Sequence, residues 1–137
     1  MFMLTRPRQT KYNKVFKGKL NGYEQKVIFS KGGHALKTLE LGRISAKQME
    51  ALRKVITRKL KRMGQVEFKM FPHIPLTKKP IETRMGKGKG QVTSWVAHVK
   101  PGRVLCIIYG VQPALAYQAL KSASAKLSVK TWITSST

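Results

Sequence analysis

A helix with one apolar face, predicted between residues 46 and 63, is the feature that most constrains how this chain folds. Ser45 precedes the first turn and Gln48 follows three residues later, which is the spacing of a capping box. A face of this kind must be buried against other elements, so the stretch predicts a helix packed on a folded core. Its apolar residues recur at three- and four-residue steps and are Met49, Leu52, Ile56, Leu60 and Met63.

The segments around this helix have the patterns of β-strands. Before it, residues 27–29, a turn at Gly32-Gly33 and the residues from 36 to 41 predict two strands joined by a turn. After it, residues 66–70 alternate apolar and polar side chains, which predicts a further strand. Strands on both sides of a packed helix favour an α+β fold.

The second half of the chain continues this mixture of elements. Residues 95–99, a turn at 100–103 and the apolar run 104–109 predict a hairpin. Pro113 suits the first position of a second amphipathic helix, and residues 129–133 predict a closing strand. We therefore expect a two-layer α+β sandwich of antiparallel or mixed strands with two helices. The apolar positions of the second helix are Leu115, Ala116, Ala119, Leu120, Ala123 and Leu127.

The charge of the chain indicates a polyanionic partner. There are 28 Lys and Arg residues against 5 acidic ones, a formal net charge of +23 over 137 residues. A hydrophobic content of 42% is too high for a disordered chain, so the charge must decorate a folded core. Such a core is strained by self-repulsion, which a bound polyanion relieves.

Few side chains are suited to catalysis or metal binding. The five acids are single, dispersed glutamates, whereas acid–base catalysis and divalent-ion binding need carboxylates brought together. Cys106 lies inside an apolar run with no second cysteine, so we expect a buried hydrophobe. No apolar stretch approaches the roughly 20 residues of a membrane span. We expect no catalytic residue, metal, cofactor or membrane association, and no homo-oligomer.

Two groups of cations are candidates for contact with RNA. Residues 1–20 form a basic arm without an acid, and residues 21–137 form the single α+β domain with an extended loop at 72–91. Cations also occupy the face of the first helix opposite its apolar stripe. A solvated tail and a solvated helix face are the respective alternatives. The candidate contacts are Arg6, Arg8, Lys11, Tyr12, Lys14, Lys17, Lys47, Lys54, Arg58 and Lys61.

The most informative motif alternates glycines and lysines within the extended loop. Glycine permits positive φ angles and close approach of the backbone to a phosphate, while ammonium groups supply charge. The spacing matches neither a Walker loop nor a dinucleotide-binding fingerprint. By itself the motif is compatible with a generic flexible basic loop. Its residues are Arg84, Met85, Gly86, Lys87, Gly88, Lys89 and Gly90.

Several motifs in order along the chain resemble the bacterial-type family of large-subunit ribosomal protein sixteen. The resemblance covers nearly the whole sequence and includes the basic arm and the entrance to the first helix. Departures occur at 29–34, at 107–110, where an acidic residue is often found, and at His73, where Asp is common. The motifs that carry it lie at 10–12, 17–18, 42–51, 71–72, 75–80, 84–90, 95–97, 101–105, 125–127 and 130–131.

The resemblance implies a structural, non-enzymatic constituent of the large ribosomal subunit. It implies binding to large-subunit rRNA beside neighbouring ribosomal proteins, near the aminoacyl-tRNA site, with residues 84–90 close to tRNA and the peptidyl transferase region. The departures favour an organelle-encoded copy in the mitochondrial matrix, with a bacterial cytoplasm or a plastid as alternatives. Two other classes are a free nucleic-acid-binding regulator and a phosphate-handling enzyme. The latter would have only Glu82 and Thr83 beside its loop.

Overall fold

The computed structural model describes residues 4–24 and 32–136. Within these ranges it contains two helices and seven strands, which confirms the predicted α+β class. Neither helix has the length and apolarity that crossing a bilayer would require. The elements are β1 (His34–Thr38), β2 (Gly42–Ser45), α1 (Ala46–Lys59), β3 (Gln65–Phe68), β4 (Ile74–Lys78), β5 (Gln91–Val99), β6 (Val104–Tyr109), α2 (Pro113–Ser124) and β7 (Thr131–Ser135).

The strands form two separate antiparallel sheets. The larger has the order β3-β6-β1-β7, and the smaller has the order β2-β5-β4. In the larger sheet, Leu36 of β1 lies between Cys106 of β6 and Ile133 of β7. In the smaller sheet, β5 is central and pairs Val96 with both Ser45 and Ile74. Consecutive strands therefore seldom pair, and most of the pairing is long-range.

Helix α1 begins with the expected capping box. The Gln48 amide donates to the Ser45 hydroxyl at 3.3 Å, and the Gln48 side chain accepts from the Ser45 amide at 2.9 Å. The helix ends at Lys59 rather than at residue 63, because Lys61 and Arg62 take positive φ angles of 48° and 66°. This turn leaves Met63 53% exposed, so the last predicted member of the apolar stripe is not in the core.

One hydrophobic core joins both sheets and both helices. Helix α1 packs against the smaller sheet, α2 packs against the larger sheet, and the two helices contact each other. A smaller cluster of Ala35, Val104 and Ile107 lies on the other face of the larger sheet. The largest fully buried side chains of the main core are Leu36, Ile44, Met49, Leu52, Ile56, Leu60, Val99, Leu105, Ile108 and Leu120.

The predicted hairpin between residues 95 and 109 is wrong, although both of its strands exist. β5 belongs to the smaller sheet and β6 to the larger one, so the turn at 100–103 crosses between sheets. Thr38 stabilises this crossover: its hydroxyl donates to the Lys100 carbonyl at 2.5 Å and its amide to the Arg103 carbonyl at 3.0 Å. The Gly102 amide returns a bond to the Thr38 carbonyl at 2.8 Å.

Two other stretches also differ from expectation. The predicted strand at 36–41 is wrong in its second half: residues 36–38 end β1, residues 39–41 belong to no strand, and β2 begins at Gly42 in the other sheet. Residues 27–29 lie outside the described residues. The stretch 72–91, expected to be irregular, contains β4 and the first residue of β5, so the irregular part is 79–90 together with residues 72–73 before β4. This strand was not predicted because Pro75 lacks the backbone N–H that a central strand needs. β4 is an edge strand, where a missing backbone donor is tolerated.

Candidate nucleic-acid interface

The glycine-lysine loop, residues 79–90, leaves β4 and returns to β5, which pair at its base. Three consecutive residues, Gly86, Lys87 and Gly88, have positive φ angles of 102°, 53° and 85°. An added Cβ at Gly86 or Gly88 would meet no atom within 4 Å, so glycine is needed there for conformation and not for space. At Gly90 a Cβ would lie 2.7 Å from the Lys78 carbonyl oxygen, which fixes the close approach at the base.

The loop folds over a cleft of about 620 Å³ that its own backbone and lysines line. The Lys79 ammonium donates to the Gly86 carbonyl and holds the two sides of the loop together. Arg84 and Lys87 are exposed, and neither has a hydrogen bond or ion pair within residues 4–24 and 32–136. These two cations are available to a bound anion without breaking an internal contact.

The basic arm crosses this loop and is bonded to it in both directions. The Lys14 ammonium donates to the Lys89 carbonyl at 3.0 Å, and the Lys89 ammonium donates to the Val15 carbonyl at 2.6 Å. The same ammonium lies 5.4 Å from the centroid of the Phe16 ring. We call residues 14–16 together with loop 79–90 the arm–loop surface. Two segments 75 residues apart in sequence thus form one cationic surface.

The arm is then attached to β2 and β5 through Arg43. Its guanidinium donates to the carbonyls of Lys17 and Gly18 at 3.2 and 2.9 Å, and its Nε donates to His98 Nε2 at 3.1 Å. Burial, followed by the charge of Arg43, lowers the pKa of His98 below 6.5. A neutral His98 is the form that accepts the Arg43 bond, so the lowered pKa and the geometry agree.

The chain just after the arm contacts the crossover turn. The Glu24 amide donates to the Pro101 carbonyl at 3.0 Å, and Arg103 donates to the Glu24 carboxylate at 2.5 Å. Arg103 also donates to the Lys69 carbonyl at 3.3 Å. At the other end of the arm, Leu4 lines a groove with Arg53 and residues of β3. The arm therefore follows the domain surface instead of extending away from it.

A second set of cations surrounds the C-terminal end of α1. They line a shallow depression of about 400 Å³ together with Thr57. Arg53 makes two bonds to Glu50 at 2.7 and 3.0 Å, which lower the pKa of that carboxyl. The remaining cations have no stronger partner than the 3.9 Å approach of Lys54 to Glu50 within the described residues. We call this the helix-end surface; its cations are Arg53, Lys54, Arg58, Lys61 and Arg62.

All predicted contact residues that the sequence placed in the arm, on the helix or in the loop are at least partly exposed. The structure brings Lys14 and Lys89 together and places Lys54, Arg58 and Lys61 on one surface. Lys47 lies seven residues before Lys54, about 10 Å away along α1, and is not part of the depression. Contact of these residues with RNA stays a prediction.

Three cations of these surfaces, Arg53, Arg62 and Lys79, were not singled out from the sequence, and neither was Arg43, which attaches the arm to the domain. The position of Arg53 three residues after Glu50 signalled an ion pair but not a place on the helix-end surface. Arg62 reaches that surface only because the chain turns after α1, and Arg43 and Lys79 act through distant carbonyls. No local pattern indicates contacts of this kind.

Metal binding and thiol reactivity in residues 4–24 and 32–136 depend on His, Cys and Glu side chains. Among the described residues there is no group of three His, Cys, Asp or Glu side chains that could hold a metal ion. Cys106 is fully buried, as predicted, and burial raises the pKa of its thiol to about 12. A thiol in this state is neither a nucleophile nor a metal ligand near neutral pH.

The fold and its cationic arm, loop and helix end define a basic α+β protein suited to a polyanionic partner. Comparison with known families identifies the family of this protein. The chain belongs to the family described as ribosomal protein L16p/L10e, whose model matches residues 7–134. The predicted family is thereby confirmed, and with it the expectation of a structural ribosomal protein rather than an enzyme.

Curated relatives cover almost the same length as this chain. A protein of Hyphomonas neptunium, named large ribosomal subunit protein uL16, is 50% identical over 129 residues, which are 93% of this chain and 94% of the relative. Proteins of the same name from Blochmanniella pennsylvanica and Mesorhizobium japonicum are each 46% identical over 129 residues. The shared length is 94% and 93% of this chain, and 96% and 94% of the respective relative.

Proposed function

We propose that this protein is a structural constituent of the large ribosomal subunit and binds its rRNA through the arm–loop and helix-end surfaces. The family and its large-subunit relatives support the ribosomal assignment. The observation that carries the RNA-binding part is the crossing of Lys14 and Lys89, because it joins two cationic segments that are distant in sequence into one surface. Ammonium groups on such a surface neutralise phosphates and release counterions.

The domain core supplies the geometry of this binding. Helix α1 is fixed by its apolar face, so the cations at its end have constant positions. A protein that faces several RNA segments gains specificity from such fixed spacing, since phosphate contacts set orientation and register. Neighbouring ribosomal proteins are expected partners on the remaining surface.

We also propose that the loop approaches tRNA and the peptidyl transferase region. Arg84 and Lys87 are the residues that carry this proposal, because they are exposed and have no internal partner within the described part of the chain. Lys89 has a different position: its ammonium bonds the arm, so its removal would disturb the arm as well. An Arg84→Ala/Lys87→Ala variant should fold normally and incorporate into subunits, but impair tRNA binding to those subunits.

The first test is sedimentation of a native extract through sucrose gradients at low and moderate salt, with this protein followed by mass spectrometry. Co-migration with the large subunit that persists at moderate salt supports the ribosomal assignment. Recovery only at the top of both gradients would contradict it and favour a free RNA-binding role. Whole-subunit dissociation is controlled by following a second large-subunit protein in the same fractions.

For the compartment we propose a mitochondrial ribosome, with a bacterial or plastid ribosome as alternatives. The proposal is supported by the departures from the family pattern at 107–110 and at His73. The three relatives described above are bacterial. Recovery of the protein with purified mitochondrial ribosomes, protected from added protease by intact mitochondria, is the expected result. Recovery with cytoplasmic or plastid ribosomes would overturn it.

A further inference from the structure

An aromatic ring on the arm stands out because it is exposed and yet held in place. The Phe16 side chain is 94% exposed, although phenylalanine normally gains from burial. The backbone on its N-terminal side is bonded to the loop, since the Val15 carbonyl accepts from Lys89 and the Lys14 ammonium bonds the Lys89 carbonyl. The ring is therefore presented to an external partner from a segment that lies against the loop.

The two faces of this ring differ. The Lys89 ammonium lies over one face, 5.4 Å from the ring centroid, in the geometry of a cation–π contact. The high exposure of the ring leaves its other face open. A planar partner that stacks there completes a layered arrangement of cation, ring and partner.

The charge around Phe16 determines what kind of partner is suitable. Lys14, Lys17 and Lys19 lie within three residues of it, and no acid occurs before Glu24. An apolar peptide segment would gain nothing from these ammonium groups. A nucleotide has both the flat base that stacks on an aromatic face and the phosphate that an ammonium neutralises.

We propose that Phe16 is a stacking platform for an unpaired RNA base, with Lys14 and Lys17 holding the flanking phosphates. This rests on the proposed RNA-binding function and adds a site for single-stranded RNA to it. Paired bases cannot use the platform, because their faces are already stacked inside a duplex. The arm–loop surface thereby distinguishes unpaired from paired RNA, which its cations alone cannot do.

The test uses the full chain and two probes, a 12-nucleotide oligoadenylate and a 12-base-pair RNA duplex. Phe16→Ala should weaken binding of the oligoadenylate by about 5- to 150-fold, the range for loss of one base–aromatic stack. The slope of log affinity against log salt should not change, because no phosphate contact is removed. Binding of the duplex should be unaffected.

Three further variants serve as controls. Phe16→Trp should bind as the unmodified chain does, whereas Phe16→Leu, which keeps an apolar side chain without a π face, should bind as weakly as Phe16→Ala. Tyr23→Ala removes another exposed ring, three residues beyond the arm, which is 87% accessible and has no cation over it among the described contacts, and this variant should have no effect. Replacing one adenine by 2-aminopurine gives a direct signal, since transfer of this base from its adenine neighbours to Phe16 should change its fluorescence, and Phe16→Ala should abolish that change.

Two results would overturn the proposal. Equal binding of oligoadenylate by the chain and by Phe16→Ala would show that no base stacks there. Binding by Phe16→Leu at full strength would show an apolar contact, as with a partner protein, instead of stacking. Failure of the ribosomal function is seen separately, in the sucrose gradient: loss of co-migration with a retained Phe16 effect would reject the ribosome but not the platform.

Discussion

The arm–loop surface and the helix-end surface are both cationic, but different forces hold them in place. At the helix end, the apolar face of α1 is fully buried at Met49, Leu52 and Ile56, and the cations follow from the position of the helix. At the arm–loop surface, Lys14 and Lys89 bond each other's segments through backbone carbonyls, and the side chains around them are exposed. The hydrophobic core holds the helix-end surface in place, whereas hydrogen bonds from Lys14 and Lys89 hold the arm–loop surface together.

This difference has a consequence for binding. A lysine–carbonyl bond at an exposed position is a weak contact, since water competes for both groups. The arm–loop surface can therefore rearrange against RNA at small cost, whereas the helix-end surface offers fixed positions. The helix-end surface suits an RNA segment of fixed backbone geometry, such as a duplex. The arm–loop surface suits a segment whose backbone geometry varies, such as a single strand.

The largest expected effect tests the dependence of the helix end on the core. Leu52→Ala removes a fully buried side chain and should lower the free energy of unfolding by about 2–5 kcal/mol in urea denaturation. Phe16→Ala, which removes a side chain of similar apolar character from the arm, should change it by less than about 0.5 kcal/mol. Comparable losses in both variants would mean that the arm is part of the folding unit.

Next in size is the contribution of the helix-end surface to RNA affinity. Lys54→Ala/Arg58→Ala removes two of its cations and should reduce the salt slope of rRNA-transcript binding by about 1.4–1.8, with affinity lowered roughly tenfold. Lys121→Ala/Lys126→Ala removes the same charge from exposed positions at and beyond the end of α2 and is the matched control. Equal salt slopes for the two double variants would show that the helix-end cations do not contact the RNA.

A smaller effect concerns the shape of the loop. Gly88→Ala places a side chain at a φ of 85°, which costs about 1–2 kcal/mol although space is available, so the loop should change conformation. Transcript binding should weaken while thermal stability is unchanged. Gly88→Asn should recover part of the affinity, because Asn tolerates the left-handed region better. No difference between Ala and Gly would show that this conformation is not the bound one.

The smallest expected effect is a pH dependence at Arg43. Because the pKa of His98 lies below 6.5 in the fold, the unfolded chain takes up the proton first, and stabilisation by the neutral ring is lost as pH falls below 6.5. The Gly18 amide resonance, followed by NMR from pH 7.5 to 5, should shift as the Arg43 contact is released. His98→Gln, which cannot titrate, should abolish the shift. Persistence of the shift in that variant would exclude His98 as its cause.

Much of the fold followed from local patterns. The capping box at Ser45 and the Pro113 start of α2 were predicted because these signals involve neighbouring residues. The pairing of strands was not, since the turn at 100–103 has the composition of a hairpin turn yet crosses between sheets. The strands that β5 and β6 pair with are distant in sequence, and so is Thr38, which is 62 residues from Lys100, the residue whose carbonyl it bonds. Local sequence patterns do not predict a contact between residues this far apart.

For the candidate interface the same limit applies. Exposure of the loop and of the cationic face of α1 could be predicted, because charged residues avoid burial and glycines permit the loop conformation. The crossing of the arm over Lys89 could not, as it depends on two segments 75 residues apart. Membership of the family was accessible because its motifs occur in order along the chain.

The separation of the arm from its contacts also has a consequence in time. The arm is synthesised before the loop, and the residue that bonds Val15, Lys89, is added 74 residues later. At usual elongation rates of 5–20 residues per second, this is a delay of roughly 4–15 s. Until then the emerging cations have no intramolecular carbonyl to bond at the loop. RNA or a chaperone that meets the nascent arm in this interval therefore does not have to displace the Lys89 contacts that the finished structure contains.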